Sequence, residues 1–279
     1  MTPLPLPGLS IVGTGRVASA LGRVFCDGKV VNLHDVLGRS AASAKSAVNF
    51  IGTGRVVAAC ADMRSADIIL LAVPDDRIAG CCAQLVTSGM LQNGTIVFHC
   101  SGALDAEILA SARSAGAVVA SVHPVRSFAD PAAVARDFAG TCCGIEGDQE
   151  ATALLRELFE AVGARVIPID GAHKTLYHAA AVFASNYTVT LIDVAMQTYA
   201  MAGVEPALAL QMIAPLLRES AENAFRLGPE AALTGPVARG DTATVTRQHD
   251  ALAIWNPAHA ALYARLAETT AALAARKTT

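Results

Sequence analysis

Two regimes of apolar patterning divide the chain near residue 168. Before it, short apolar runs alternate with amphipathic stretches. Leu9-Ser10-Ile11-Val12 is a strand-length run that ends at once in glycines. Residues 16–26 follow with Val17, Leu21, Val24 and Phe25 on one helical face, and Asp27-Gly28 closes that helix. Residues 30–37 read as a second strand ending at Gly38-Arg39-Ser40, with an alanine-rich helix behind it. Asp67-Ile68-Ile69-Leu70-Leu71-Ala72-Val73 is continuously apolar, the pattern of a strand buried on both faces in a parallel sheet, and Pro74-Asp75-Asp76 stops it. Residues 95–99 and 118–122 repeat the pattern and end at Cys100-Ser101-Gly102 and His123-Pro124. Strands alternating with helices predict an α/β domain with a mainly parallel sheet.

Beyond Pro168 no strand pattern remains. Alanine- and leucine-rich helices are expected over 172–202, 206–226, 241–254 and 257–276, broken by a loop through Gly235, Pro236 and Gly240 to an N-cap at Asp241. The expected organisation is a Rossmann domain over 1–168 and an all-α domain over 169–279. The first helix of the second domain is apolar on nearly every side over 175–192. It carries Tyr177, His178, Ser185, Asn186 and Tyr187, which are costly in lipid, so it is expected as a buried core helix partly covered by a second subunit.

Composition narrows the function. Of 279 residues 53% are hydrophobic and 16% charged, with a net charge of −3 and a mean hydropathy of +0.43. This excludes a disordered chain and gives no basic face for nucleic acid. The Pro-rich start has no cationic flank, so no signal peptide is expected. Seven cysteines, an odd number without a C-x-x-C pair, suit reduced thiols in a cytoplasmic protein, and no metal-ligand spacing is present.

The chemistry-bearing residues gather at strand ends, where α/β sheets bind ligands. Gly13-Thr14-Gly15-Arg16-Val17-Ala18 has the form G-x-G-x-x-A between a strand and a helix. Its glycines allow a tight turn and close approach of a diphosphate, Ala18 allows close helix packing, and the helix start offers amide donors. Arg39 and Ser40 at the end of the second strand suit a 2′-phosphate, which points to NADP; Asp35 competes as a ribose ligand but lies inside the strand. Val73-Pro74 would shape the nicotinamide end. Ser101, His123 and Arg239 are candidate substrate contacts, as is Asn186, which with Ser185 also suits internal helix pairing; Arg126 suits a carboxylate or a surface salt bridge equally. Lys174 and His178, one turn apart, can reach one substrate atom and serve as general acid.

These motifs resemble Rossmann-like oxidoreductases with a helical C-terminal domain, of the ketopantoate reductase and 6-phosphogluconate dehydrogenase type. Similarity to one bacterial family in that group runs through Ala72–Ile78, His99–Gly102, His123-Pro124, Leu176–Ala181, Ser185-Asn186 and Ala232–Asp241. The resemblance implies a lysine at the start of the first C-terminal helix assisting at the substrate oxygen, and Lys174 matches it. The group often has Asn one turn later, where this chain has His178. The expectation is an NADPH-dependent, cytoplasmic, homodimeric reductase of a small 2-oxo acid such as ketopantoate, without nucleic-acid or membrane partners. The alternatives are a pyrroline-5-carboxylate reductase-like or prephenate dehydrogenase-like enzyme, and a non-enzymatic NADP-binding protein.

Overall fold

The fold is that of a computed structural model, which describes residues 5–276. The first compact unit runs to Ser185 and the second from Asn186. The chain enters β1 (Gly8–Val12), α1 (Arg16–Asp27), β2 (Asn32–Leu37), α2 (Ala41–Ile51), β3 (Arg55–Val57), β4 (Ile68–Leu71) and α3 (Asp75–Thr87). It continues through β5 (Ile96–His99), α4 (Ala110–Ser114), β6 (Val118–Pro124), α5 (Pro131–Arg136), β7 (Cys142–Gly147), α6 (Gln149–Ala161), β8 (Arg165–Pro168) and α7 (Lys174–Ala184).

Eight strands form one sheet in the order β3-β2-β1-β4-β5-β6-β7-β8, parallel except where β7 runs against β6. The order reverses at β1, between β2 and β4, which is where open α/β sheets place their ligand crevice. All four residues of β4 are buried, as its unbroken apolar run requires. On one side of the sheet Phe159 of α6 meets Phe25 edge-on at 5.1 Å and Phe98 at 6.3 Å, tying α1, α6 and β5 into one core. The α1 stripe of Ala18, Leu21, Val24 and Phe25 is buried there, and Gly22 lets Ile11 and Ile51 close over the helix. Helix α2 starts with a Ser40–Ser43 capping box and stops at Gly52, whose left-handed backbone (φ +94°) suits a helix end.

The second unit is helical: α8 (Asn186–Met201), α9 (Pro206–Leu227), α10 (Pro229–Ala232), α11 (Thr242–Trp255) and α12 (Pro257–Arg276). Asp241 caps α11 by accepting from the Thr244 amide at 3.0 Å, as expected.

Three expectations change. The helix expected over 172–202 is two, because Ser185 (φ −118°, ψ −70°) breaks it. Its first half, α7, belongs to the first compact unit, so that unit extends one helix past Pro168. The apolar stretch is also not a core helix of this chain: no residue of α8 is buried, and in α7 only Lys174 is. By length and composition Gly171–Met201 is the one helical stretch among the described residues able to cross a membrane.

Candidate functional site

The turn from β1 into α1 is built for close approach. Gly13 has φ +119°, and a Cβ there would sit 2.1 Å from the Ala72 carbonyl oxygen. Only glycine fits that combination of backbone and contact. A Cβ at Gly15 would meet nothing. Gly15 is the N-cap of α1, no side chain caps the helix, and its first turn carries no acid. The amides at the start of α1 are therefore open to an anion. A cavity of about 1110 Å³ opens there, bounded by the Gly13-Thr14-Gly15 turn, Leu37–Arg39, Ala58–Ala61 and Ala72–Pro74.

Gly13, Thr14, Gly15, Arg39, Val73 and Pro74 thus line one cavity. Ala18 is buried against the sheet and Val17 packs on the same core, so both shape the helix without facing the cavity. The exposed Arg16 is not among the lining residues and can contribute only its amide. Ser40 is occupied capping α2, and Ser43 beside it lines the cavity instead. Asp35 is turned away: it is fully buried and held by Arg55 and Arg64. Arg77 on α3 is a second cavity arginine that the sequence reading missed.

Because β1 neighbours β4, β4 neighbours β5 and β5 neighbours β6, the strand ends form a row leading from the glycine turn to His123. At its far end stands a cluster contributed by β6, β7 and α7. His123 Nδ1 lies 3.1 Å from the Tyr177 hydroxyl, and its ring meets His178 edge-on at 5.3 Å. Burial, then the charges of His178 and Lys174, push His123 down to about 4, so it is neutral near pH 7. Burial raises Tyr177, which keeps its proton, and the Gly144 amide bonds the phenol oxygen. The phenol O–H is then free to donate to His123 Nδ1, which leaves Nε2 carrying the ring proton. That Nε2 and the Nδ1 of His178 both face Gly102, at 2.8 and 2.2 Å from where a Cβ would stand. His178 Nδ1 is buried with no hydrogen-bond partner. A donor and an unpaired nitrogen therefore flank one bare Cα.

Lys174 departs from its expected place. It is 1% exposed, and its ammonium is bonded to Ser121 Oγ and, at 2.9 Å, to Glu146 Oε1. Burial lowers its pKa, opposed by Glu146. Its ammonium is thus committed to residues of β6 and β7 and is not presented to solvent. The network continues through Ser121, 3.4 Å from His99 Nδ1. His99 accepts from the Ser101 amide at Nδ1 and so donates from Nε2 to the Asp105 carbonyl oxygen, 3.0 Å away. Burial holds it at about 4. Glu146 also accepts from the Ala106 amide.

Two further expectations are corrected. Ser101 donates to Asp75 and accepts from the Ala103 and Leu104 amides, so it shapes the turn and has no capacity left for substrate. Arg126 makes no ion pair among the described residues; its Nη1 donates to the Asp137 carbonyl oxygen and Thr141 Oγ1, tying it to the loop before β7. Asn186 and Arg239 belong to the helical unit and are both exposed, Arg239 in a short turn ended by Gly240. Besides Arg77, sequence reasoning assigned no functional place to Glu146 or Tyr177. A lone carboxylate between the buried Ile145 and a glycine was the only available signal for Glu146.

Residues 6–124 match the Rossmann-like domain family, and residues 141–270 match a domain family of unknown function, DUF2520. Among curated proteins none matches. Protein TM1727 from Thermotoga maritima is 27% identical, with 97% of this chain and 100% of that chain covered at a TM-score of 0.74. BF3122 from Bacteroides fragilis, provisionally described as an NADP oxidoreductase, is 20% identical over 95% and 98% of the two chains at 0.79. An imine reductase from Myxococcus stipitatus, solved with NADP+, is 15% identical over 98% and 100% at 0.68. The chain therefore joins a Rossmann-like domain to a region matching DUF2520 that begins at β7 and runs on through the helices.

Proposed function

We propose that the chain is an NADP(H)-dependent oxidoreductase that reduces a small carbonyl or imine compound. The observation that carries this reading is the continuous row from the uncapped glycine turn to the His123–Tyr177–His178 cluster. The residues present fit a phosphorylated dinucleotide: Gly13 and Gly15 leave room for a diphosphate, and Arg39 faces the same cavity while the acid of β2 is locked inward. When bound, NADPH supplies the hydride. Similarity to structures described with NADP supports the choice of cofactor.

The chain's own residues then orient the substrate. His123 Nε2–H donates to the heteroatom of the C=O or C=N group, and Tyr177 fixes the ring that donates. His178 Nδ1 accepts from a second polar group of the substrate, ending its isolation. Lys174 holds the start of α7, so that Tyr177 and His178 fall beside His123.

A 2-oxo acid such as ketopantoate is the first substrate class to assay. A cyclic imine is the second, favoured by one observation. In the first unit's cluster Lys174 is already paired with Glu146, so its charge is committed there and not offered to a carboxylate. Saturable NADPH binding is expected, with substrate-dependent loss of nicotinamide absorbance for a member of a panel containing ketopantoate, 1-pyrroline-5-carboxylate and prephenate (the last with NADP+). Absence of saturable binding would overturn the proposal; binding without turnover across carbonyl and imine panels would favour a non-enzymatic NADP-binding protein.

The homodimer is also proposed. Leu208, Leu216 and Phe225 on α9 and Ile254 on α11 are open to solvent, Phe225 at 83% and Ile254 at 89% exposed. Apolar surface of this kind marks association. Light scattering should give twice the 28.6 kDa chain mass, and a monomer at micromolar concentration would refute it.

A further inference from the structure

Asp35 sits at the middle of β2, in register with Arg55 on β3, and is 0% exposed. A buried carboxylate must be matched by donors or it is expelled or protonated. Here the matching is complete. Arg55 donates from Nε at 2.8 Å and Nη2 at 3.2 Å. Arg64 donates from its backbone amide at 2.6 Å, from Nε at 3.1 Å and from Nη2 at 2.9 Å. Both guanidiniums reach on: Arg55 Nη2 to the Asp62 carbonyl oxygen at 2.7 Å, and Arg64 Nη2 to the His34 carbonyl oxygen. Asp62 in turn accepts from the Ala59 amide at 3.1 Å.

The chain between those two arginines is the irregular segment that forms one wall of the cavity. Ala58, Ala59, Cys60 and Ala61 line it, as does Arg39 at the end of β2. Cys60 packs into the core and Val57 and Met63 anchor the flanks, but the three alanines are too small to fix the wall between them, so its shape leans on its ends. One carboxylate grips both ends. Burial raises the Asp35 pKa, but the hydrogen bonds from Arg55 and Arg64 outweigh it and bring it to about 2, so the grip is charged at any physiological pH.

We infer that Asp35 is a positioning residue for the cofactor: through Arg55 and Arg64 it preforms the wall of the cavity that receives the adenosine end of the dinucleotide. This rests on the NADP reading above. It also reverses the expected duty of an acid on the second strand, which is to touch the ribose itself. A segment held ready before binding spares the ligand the cost of ordering it.

The test uses the full chain and isothermal titration with adenosine 2′,5′-bisphosphate, which carries only the adenosine end. Arg64→Gln is the first variant, because Arg64 is half-exposed at its side chain and its loss leaves Arg55 on Asp35. The dissociation constant for the bisphosphate is expected to rise roughly tenfold, about 1.4 kcal/mol. Arg64→Lys should recover part of this, since one ammonium replaces part of the guanidinium's contacts. With any substrate that turns over, KM for NADPH should rise while kcat at saturating NADPH stays unchanged. Asp35→Asn should weaken bisphosphate binding further; if it fails to fold, Arg64→Gln and Arg55→Gln decide alone. Wild-type dissociation constants in folded variants would overturn the inference while leaving the cofactor reading intact. No binding of NADPH to the wild-type chain would overturn both.

Discussion

Lys174→Met is expected to lower the stability of the first unit by about 3–5 kcal/mol, the usual cost of stripping one partner from a buried ion pair. Glu146 has a side chain only 10% exposed, and Lys174 is the cation that meets it. Without the lysine the carboxylate must stay buried and uncompensated, or take up a proton. The loss will show as a lower midpoint in chemical denaturation followed by circular dichroism. The double variant Lys174→Met/Glu146→Gln removes the orphaned charge and should recover most of that midpoint, since an apolar or neutral replacement of a whole pair is often tolerated. The same pair of variants separates two roles for the lysine. If Lys174 only holds α7 in place, the stable double variant should keep turnover within about tenfold of wild type. If Lys174 donates the proton at the substrate oxygen, turnover should fall by roughly 10²–10⁴ in both variants. Recovery of stability without recovery of turnover would return the lysine to the chemistry.

The sequence made the parallel strands legible where they are buried and continuous. β1, β4, β5 and β6 stand within a few residues of their expected places because strands buried on both faces must be largely apolar, while β2, with Asn32, His34 and Asp35, is marked by the Gly38-Arg39-Ser40 turn that ends it. β3 spans only Arg55–Val57, too short for any periodicity to register, while β8, Arg165–Pro168, is as long as β4 but opens on an arginine and is mostly exposed, so it lacks a continuous apolar run. β7 hides for another reason: Cys142-Cys143-Gly144-Ile145-Glu146-Gly147 holds two glycines and a carboxylate, residues with low strand preference. That omission concealed Glu146, and with it the partner of Lys174. Helical geometry put Lys174 and His178 one turn apart, and both lie in α7. It did not show that the lysine side chain turns toward β6 and β7 while the imidazole stays over Gly102, since that depends on partners 53 and 28 residues away. That Asp35 lies within β2 rather than at its tip was legible; that its side chain is buried and held by two arginines was not. The 172–202 helix looked continuous because Ala181-Val182-Phe183-Ala184 lead into Ser185, Tyr187, Val189 and Leu191 follow it, and no proline or glycine marks the break.

Gly13→Ala is expected to abolish saturable NADPH binding, and it tests the foundation of the functional reading. Two costs add at that position. The backbone angle, φ +119°, is one that an alanine adopts only under strain, of order 1–3 kcal/mol. The added Cβ would also stand 2.1 Å from the Ala72 carbonyl oxygen and 2.6 Å from its carbon, which are backbone atoms at the end of β4 and have no rotamer by which to yield. Relief must come from moving the turn, the end of β4 or both, and these are the two walls between which a diphosphate would enter. Gly15→Ala provides the contrast. Its Cβ meets no protein atom, so the fold tolerates it, but the methyl group projects into open space beside the uncapped start of α1. Gly13→Ala should therefore lose both melting temperature and NADPH binding. Gly15→Ala should melt as wild type does while its dissociation constant for NADPH rises at least tenfold, about 1.4 kcal/mol. Thermal melting and fluorescence titration on the two variants give both readouts. Wild-type affinity in a folded Gly15→Ala chain would mean that the diphosphate does not approach this turn, and the site would have to be sought elsewhere along the sheet.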